Sequence, residues 1–109
     1  FQLSKECALA KRYIDANYAK NITLDSLAEI THINKFYLAH SFTECIGQSP
    51  INYLTDRRLE ACKELLTSSN LSVAQVASSV GFSSQSYFSQ IFRKKTGMTP
   101  RQYRNRYAK

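Results

Sequence analysis

One stretch of this sequence occurs twice, and a repeated unit limits the possible folds more than any other feature. Asn34-Lys35-Phe36-Tyr37-Leu38 runs on to Phe42, Gly47, Ser49-Pro50 and Tyr53. Fifty residues later the same frame returns as Ser84-Gln85-Ser86-Tyr87-Phe88, Phe92, Gly97, Thr99-Pro100 and Tyr103. Upstream the offset is 49, pairing Leu24, Leu27, Ala28 and Ile33 with Val73, Val76, Ala77 and Phe82. The later copy therefore has one extra residue in the connection before its second helix. Self-similarity at a fixed period says that one supersecondary unit has been used twice.

The later copy shows what the unit is. Ser84 suits an N-cap, since its hydroxyl can accept from free N–H groups of the first helical turn. Tyr87, Phe88, Ile91 and Phe92 fall at helical spacing on one side. Gln85, Ser86, Ser89 and Gln90 fall on the other side. Arg93, Lys94 and Lys95 occupy the last turn, where cations complement the helix dipole. Gly97 can stop the helix in the left-handed region, and Thr99-Pro100 opens the next one as cap and first residue.

In chain order the pattern predicts helices over residues 4–18, 24–31, 34–46, 50–68, 73–80, 84–96 and 100–107. Cys7, Ala10, Ile14 and Tyr18 line the first helix. Thr23 caps the second, which buries Leu24, Leu27 and Ala28, and His32-Ile33 form a tight turn before Asn34 caps the third. A short helix, a tight turn and a second helix with a polar outer face make a helix-turn-helix unit, whose second helix can enter a DNA major groove. The fourth helix carries Ile51, Leu54, Leu59, Ala61, Cys62, Leu65 and Leu66. It would be a rod of roughly 25 Å, against successive major grooves about 34 Å apart, so the dimensions permit both units to face one side of a duplex. The fold class is all-α: seven helices, two helix-turn-helix units joined by a long linker helix.

Charge adds direction. The net charge is +7. Residues 1–92 hold equal numbers of basic and acidic side chains, so the whole excess comes from Arg93, Lys94, Lys95, Arg101, Arg104, Arg106 and Lys109. A localised cationic field attracts polyanions; the competing reading is a solvated basic tail. Cys7, Cys45 and Cys62 are odd in number and widely spaced, which suits a reducing cytoplasm better than a disulfide framework. No 18-residue apolar run exists to span a membrane. The chain opens on Phe1 rather than Met, and the expectation is a piece of a longer protein.

These residues resemble a known family. The segments 27–42 and 47–66, and above all residues 73–104 with Ala77, Gly81-Phe82, Tyr87-Phe88, Phe92, Gly97, Thr99-Pro100 and Tyr103-Arg104, are similar to the DNA-binding domain of AraC/XylS-type bacterial transcription regulators. The resemblance covers nearly all of residues 1–109. It implies a first helix-turn-helix unit in 1–48, a linker helix in 49–68 and a second unit in 69–109. It also implies a monomeric domain reading two adjacent major grooves, attached to an N-terminal sensing or dimerising domain absent from this fragment.

Carried over from that family, the base-facing positions are Lys35, Phe36, Ala39 and His40 in the first unit and Gln85, Ser86, Ser89 and Gln90 in the second. Helix geometry selects the same exposed N-terminal positions. Gln can bond an adenine edge bidentately, Ser can donate or accept, Phe36 and Ala39 can touch a thymine methyl, and His40 can donate to guanine. Lys35, the N–H groups at the caps Asn34 and Ser84, and Arg93, Lys94, Thr99 and Arg101 suit phosphate. Ala39 and Ser86 are shorter than the family's usual residues there, which thins direct readout.

Tyr37, Leu38, Phe42, Tyr87, Phe88 and Phe92 could stack on bases, but an inward stripe makes them core; Tyr53 and Tyr103 read as core with the hydroxyl bonded at the rim. Phe36 lies off that stripe and reads as a groove contact. The spacing of His32, His40 and Cys45 matches no zinc pattern. Arg58, near Asp56 and Glu60, reads as a structural ion pair. No serine has a His/Asp partner set, so no catalytic residue, metal site or cofactor is expected. The expected function is sequence-specific binding of double-stranded DNA by the output domain of a bacterial activator, acting in the cytoplasm at the nucleoid. RNA polymerase is a further expected partner, and the full-length protein is expected to be dimeric. The alternative is a protein-interaction module that contacts RNA polymerase with weak or no base readout.

Overall fold

The computed structural model describes residues 4–108; Phe1 and the basic Lys109 lie outside the described residues. Within them are seven helices: α1 (Lys5–Asn17), α2 (Leu24–Thr31), α3 (Lys35–Ile46), α4 (Pro50–Ser68), α5 (Val73–Ser79), α6 (Gln85–Thr96) and α7 (Pro100–Tyr107). No described helix is long and apolar enough to cross a membrane. The chain divides into two compact units at Arg57/Arg58, inside α4.

Caps set most of the boundaries. Ser4, Thr23, Asn34, Ser72, Ser84 and Thr99 each accept a backbone N–H of their helix's first turn. Thr23, Ser72 and Thr99 do so reciprocally, with Ser26, Gln75 and Gln102 reaching back to the cap N–H. Gly47 (φ 93°) and Gly97 (φ 81°) end α3 and α6 in the left-handed region. The turn between α2 and α3 is also repeated between α5 and α6. Ile33 N–H donates to Ala28 O, and Phe82 N–H donates to Ala77 O. Gly81 takes φ 103° there, whereas His32 takes φ 60° at the matched place. A non-glycine side chain in that region costs about 1–2 kcal/mol.

In the first unit Cys7, Ala10, Ile14, Ile22, Leu27, Leu38, Phe42 and Leu54 form one buried cluster. Tyr53 packs edge-on to Phe42, centroids 5.8 Å apart. Its hydroxyl donates to Asp15 Oδ1 at 2.7 Å, so the expected rim hydrogen bond is present. Arg57 Nε donates to the same oxygen and Lys11 Nζ to Oδ2, each at 3.1 Å. Burial alone would push the Asp15 carboxyl up, but Tyr53, Lys11 and Arg57 outweigh it and hold the group below its ordinary value. A carboxylate with a depressed native pKa stabilises above its unfolded value, 3.8, and loses that contribution as pH falls through the lower native value. Asp15→Asn should therefore destabilise the unit by about 1–2 kcal/mol at neutral pH. In urea titrations, its deficit against wild type should shrink as pH drops below 3.8.

In the second unit Leu59, Cys62, Leu66, Val76, Ala77, Val80, Phe82, Phe88 and Phe92 are buried. An aromatic chain runs from Phe82 to Phe88 (5.2 Å), Phe92 (5.6 Å) and Tyr103 (5.5 Å). The Arg104 guanidinium donates to Leu66 O at 2.9 Å and to Leu71 O, satisfying one carbonyl at the end of α4 and one in the following loop. Burial pushes the Cys62 thiol up to about 12, which leaves it an inert core group.

Three packing expectations fail. Tyr37 and Tyr87 are 63% and 52% exposed, not core. Position 37 lies about 100° round the helix from buried Leu38, on the side away from Phe42, so it stands at the open edge of the stripe, which the rest of the unit does not cover. Ile51 is also exposed, one residue into α4. Arg58 lies over the Phe82 ring at 5.8 Å, so its structural role includes packing on an aromatic face. Glu60 pairs with Lys63 at 3.1 Å.

Candidate nucleic-acid interface

α3 is fixed at its start by Asn34, whose Oδ1 accepts from Phe36 N–H at 2.8 Å and Tyr37 N–H at 3.3 Å. Buried Leu38 and Phe42 anchor one side of α3, which turns Phe36 and His40 outward. Phe36 is 71% exposed, consistent with its position off the inward stripe. Ala39 is half-buried and His40 exposed.

Lys35 and His40 both have acidic neighbours within the unit. Lys35 Nζ stands 3.1 Å from Asp25 Oδ1 on α2 and 5.4 Å over the Phe36 ring. His40 Nε2 stands 3.1 Å from Glu44 Oε1 one turn on. Lys35 is thus a side chain with an acidic partner already in place, which sequence spacing did not reveal. Asp25 precedes it by ten positions and meets it only because the His32 turn folds α2 onto α3.

α6 has the same geometry and a different electrostatic character. Ser84 Oγ accepts from Tyr87 N–H at 3.2 Å. Phe88 and Phe92 are fully buried, leaving Gln85, Ser86 and Gln90 exposed and Ser89 half-buried. Arg93 and Lys94 are exposed in the last turn. The Thr99 hydroxyl accepts from Gln102 N–H at 3.1 Å, so its first duty is to its own helix. Arg101 is exposed on α7 and meets Gln85 across a cleft of about 550 Å³, lined also by Ser72, Val73, Arg104 and Asn105. A candidate base reader and a candidate phosphate ligand are brought to one opening there. Sequence reasoning did not single out Ser72 or Asn105; the Ser72-x-x-Gln75 capping box is the signal that could have marked the first.

Within each unit, then, the second helix of a helix-turn-helix presents residues of its N-terminal half outward, led by Phe36 and His40 on α3 and by Gln85, Ser86 and Gln90 on α6. A family model described as a helix-turn-helix domain matches residues 27–106. The bifunctional transcriptional activator/DNA repair enzyme AdaA of Bacillus subtilis is 34% identical over 96 residues, covering 88% of this chain and 46% of its own. The chain spans less than half the length of that curated relative. The C-terminal domain of AraT, a response regulator from Geobacillus stearothermophilus, superposes with a TM-score of 0.95 at 34% identity, covering 100% of this chain and 91% of that one. The DNA-binding domain of AdpA, a global transcriptional factor solved in complex with a target DNA, superposes with a TM-score of 0.90 at 25% identity, covering 95% of this chain and 94% of that one. The chain belongs to the AraC-type helix-turn-helix family, the DNA-binding domains of bacterial transcription regulators.

Proposed function

We propose that this chain is the DNA-reading end of a bacterial transcription activator, and not an enzyme. α3 and α6 each enter a major groove of double-stranded DNA, with successive grooves on one side of the duplex. Gln85, Ser86, Ser89 and Gln90 read base edges in one groove. Phe36, Ala39 and His40 read the other, mainly through apolar contact, with Lys35 beside them. Arg93, Lys94 and Arg101 hold phosphates, with Asn34, Ser84 and Thr99 as uncharged helpers. The observation that carries this reading is the pairing of exposed uncharged polar tips on α6 with exposed cations at its far end. The setting is the cytoplasm at the nucleoid, and in the whole protein this module works beside a sensing or dimerising domain.

Selection of bound duplexes from a random pool, followed by two substitutions, tests the assignment. Gln90→Ala should lower discrimination at one or two base pairs by about 1–3 kcal/mol. Arg93→Ala should weaken selected and random duplexes alike. Equal weakening of all sequences by Gln90→Ala would remove it from the readers. A selected consensus in two blocks about one helical turn apart is the expected signature of two-groove use.

A second reading draws on the Asp25–Lys35 and Glu44–His40 pairs. With Lys35 paired to Asp25, α3 has little charge to offer phosphate and could instead dock on RNA polymerase through Phe36. A selected consensus confined to one block would favour that division of labour.

A further inference from the structure

Residues 34–57 and 84–107 agree at Tyr37/Tyr87, Phe42/Phe92, Gly47/Gly97, Pro50/Pro100 and Tyr53/Tyr103, and nowhere else. Four of those pairs have a reason inside the fold. Phe42 and Phe92 are fully buried. Gly47 and Gly97 hold positive φ. Pro50 and Pro100 are buried first residues of α4 and α7. Tyr53 and Tyr103 pack edge-on to Phe42 and Phe92 at 5.8 and 5.5 Å. Tyr37 and Tyr87 have no such reason in common. Both are more than half exposed, although Leu38/Phe88, Lys35/Gln85 and Phe36/Ser86 around them have diverged.

Both tyrosines are also placed alike. Each is the third residue of its helix, and its N–H is taken by the cap side chain: Asn34 Oδ1 at 3.3 Å, Ser84 Oγ at 3.2 Å. Each stands about 100° round the helix from the outward positions 36 and 86. That is the flank of the reading face, where a groove-bound helix meets the sugar–phosphate wall and not the base edges. Tyrosine is a long side chain with a polar but uncharged tip. Residues seven apart fall within about 20° of each other, so Lys94 shares the flank of Tyr87 and Glu44 that of Tyr37. Glu44 is itself engaged by His40 at 3.1 Å. The Tyr87 ring leans on Phe82, centroids 6.2 Å apart, which limits its swing.

Building on the DNA-binding reading above, we propose that Tyr37 and Tyr87 are a matched pair of backbone contacts, each hydroxyl donating to a phosphate oxygen at the edge of the groove its helix enters. Hydroxyl donors of this kind fix register on the duplex without reading sequence. They release no counterion, so they add affinity that salt does not erode.

Tyr37→Phe and Tyr87→Phe in the full chain delete only the hydroxyl and leave the rings in place. On the selected duplex each should weaken binding about three- to tenfold. Random duplex should weaken by the same factor, with the salt slope and thermal midpoint unchanged. Phosphate-ethylation interference should lose one position per substitution. Wild-type affinity in both variants, or weakening restricted to the selected sequence, would overturn the proposal, the latter by putting the hydroxyl on a base. If the unsubstituted chain selects no duplex, the DNA-binding reading falls and this one with it. A wild type that binds beside indifferent Phe variants sinks this proposal alone.

Discussion

Raising NaCl from about 50 to about 500 mM should weaken binding of the selected duplex on the order of 500-fold. Each neutralised phosphate contributes roughly −0.9 to the slope of log K against log salt, so three contacts give about −2.7. Arg93, Lys94 and Arg101 are the three, all exposed in the second unit. The contacts from Asn34, Ser84 and Thr99 carry no charge and leave the slope alone. Lys35 is bound to Asp25 at 3.1 Å and should add nothing while that pair persists. Fluorescence anisotropy across a salt series reads the number directly. A slope shallower than about −1 would mean that the cationic end stays in solvent and does not touch the duplex. Arg93→Ala and Lys94→Ala should each make the slope about one unit shallower.

The largest stability effect is expected at Phe92. Its ring is fully buried, 5.6 Å from Phe88 and 5.5 Å from Tyr103. Truncation to alanine removes the middle of an aromatic chain and leaves a cavity, at about 3–5 kcal/mol. The unit from Arg58 onward is small, and a unit of that size holds roughly 3–8 kcal/mol in total. Phe92→Ala should thus remove most of its stability, seen as an early urea transition and as loss of binding to every duplex. Phe92→Leu keeps much of the volume and should recover more than half of the loss. A Phe92→Ala protein that melts like wild type would mean the site collapses around the void, against the close packing of the ring.

What could be read from the sequence was local. Caps at Thr23, Asn34, Ser84 and Thr99 join groups within three positions of each other, and the glycine stops at Gly47 and Gly97 are single-residue events, so spacing alone located them. The internal repeat supplied the rest, since a pattern found once is suggestive and found twice is architecture. The errors share a different cause. The inward stripe of Leu38 and Phe42, or of Phe88 and Phe92, reads as taking in Tyr37 and Tyr87, but periodicity does not say how wide the covered face is, and both rings lie beyond its edge. The Lys35–Asp25 pair and the Arg104 bonds to Leu66 and Leu71 depend on how helices meet, and no periodicity encodes that. For the interface this mattered most at Lys35, which sequence reasoning offered freely to phosphate.

Arg104 bears on how any mutagenic survey of the C-terminal cations would be interpreted. A screen scored only by promoter output would group Arg104 with Arg101, since losing either lowers occupancy. Yet the Arg104 guanidinium is a latch between the end of α4 and the loop before α5. Its removal orphans two main-chain acceptors, and the defect would arise before any nucleic acid is met. Protein abundance, measured alongside reporter activity, separates such a broken hinge-pin from a missing handhold.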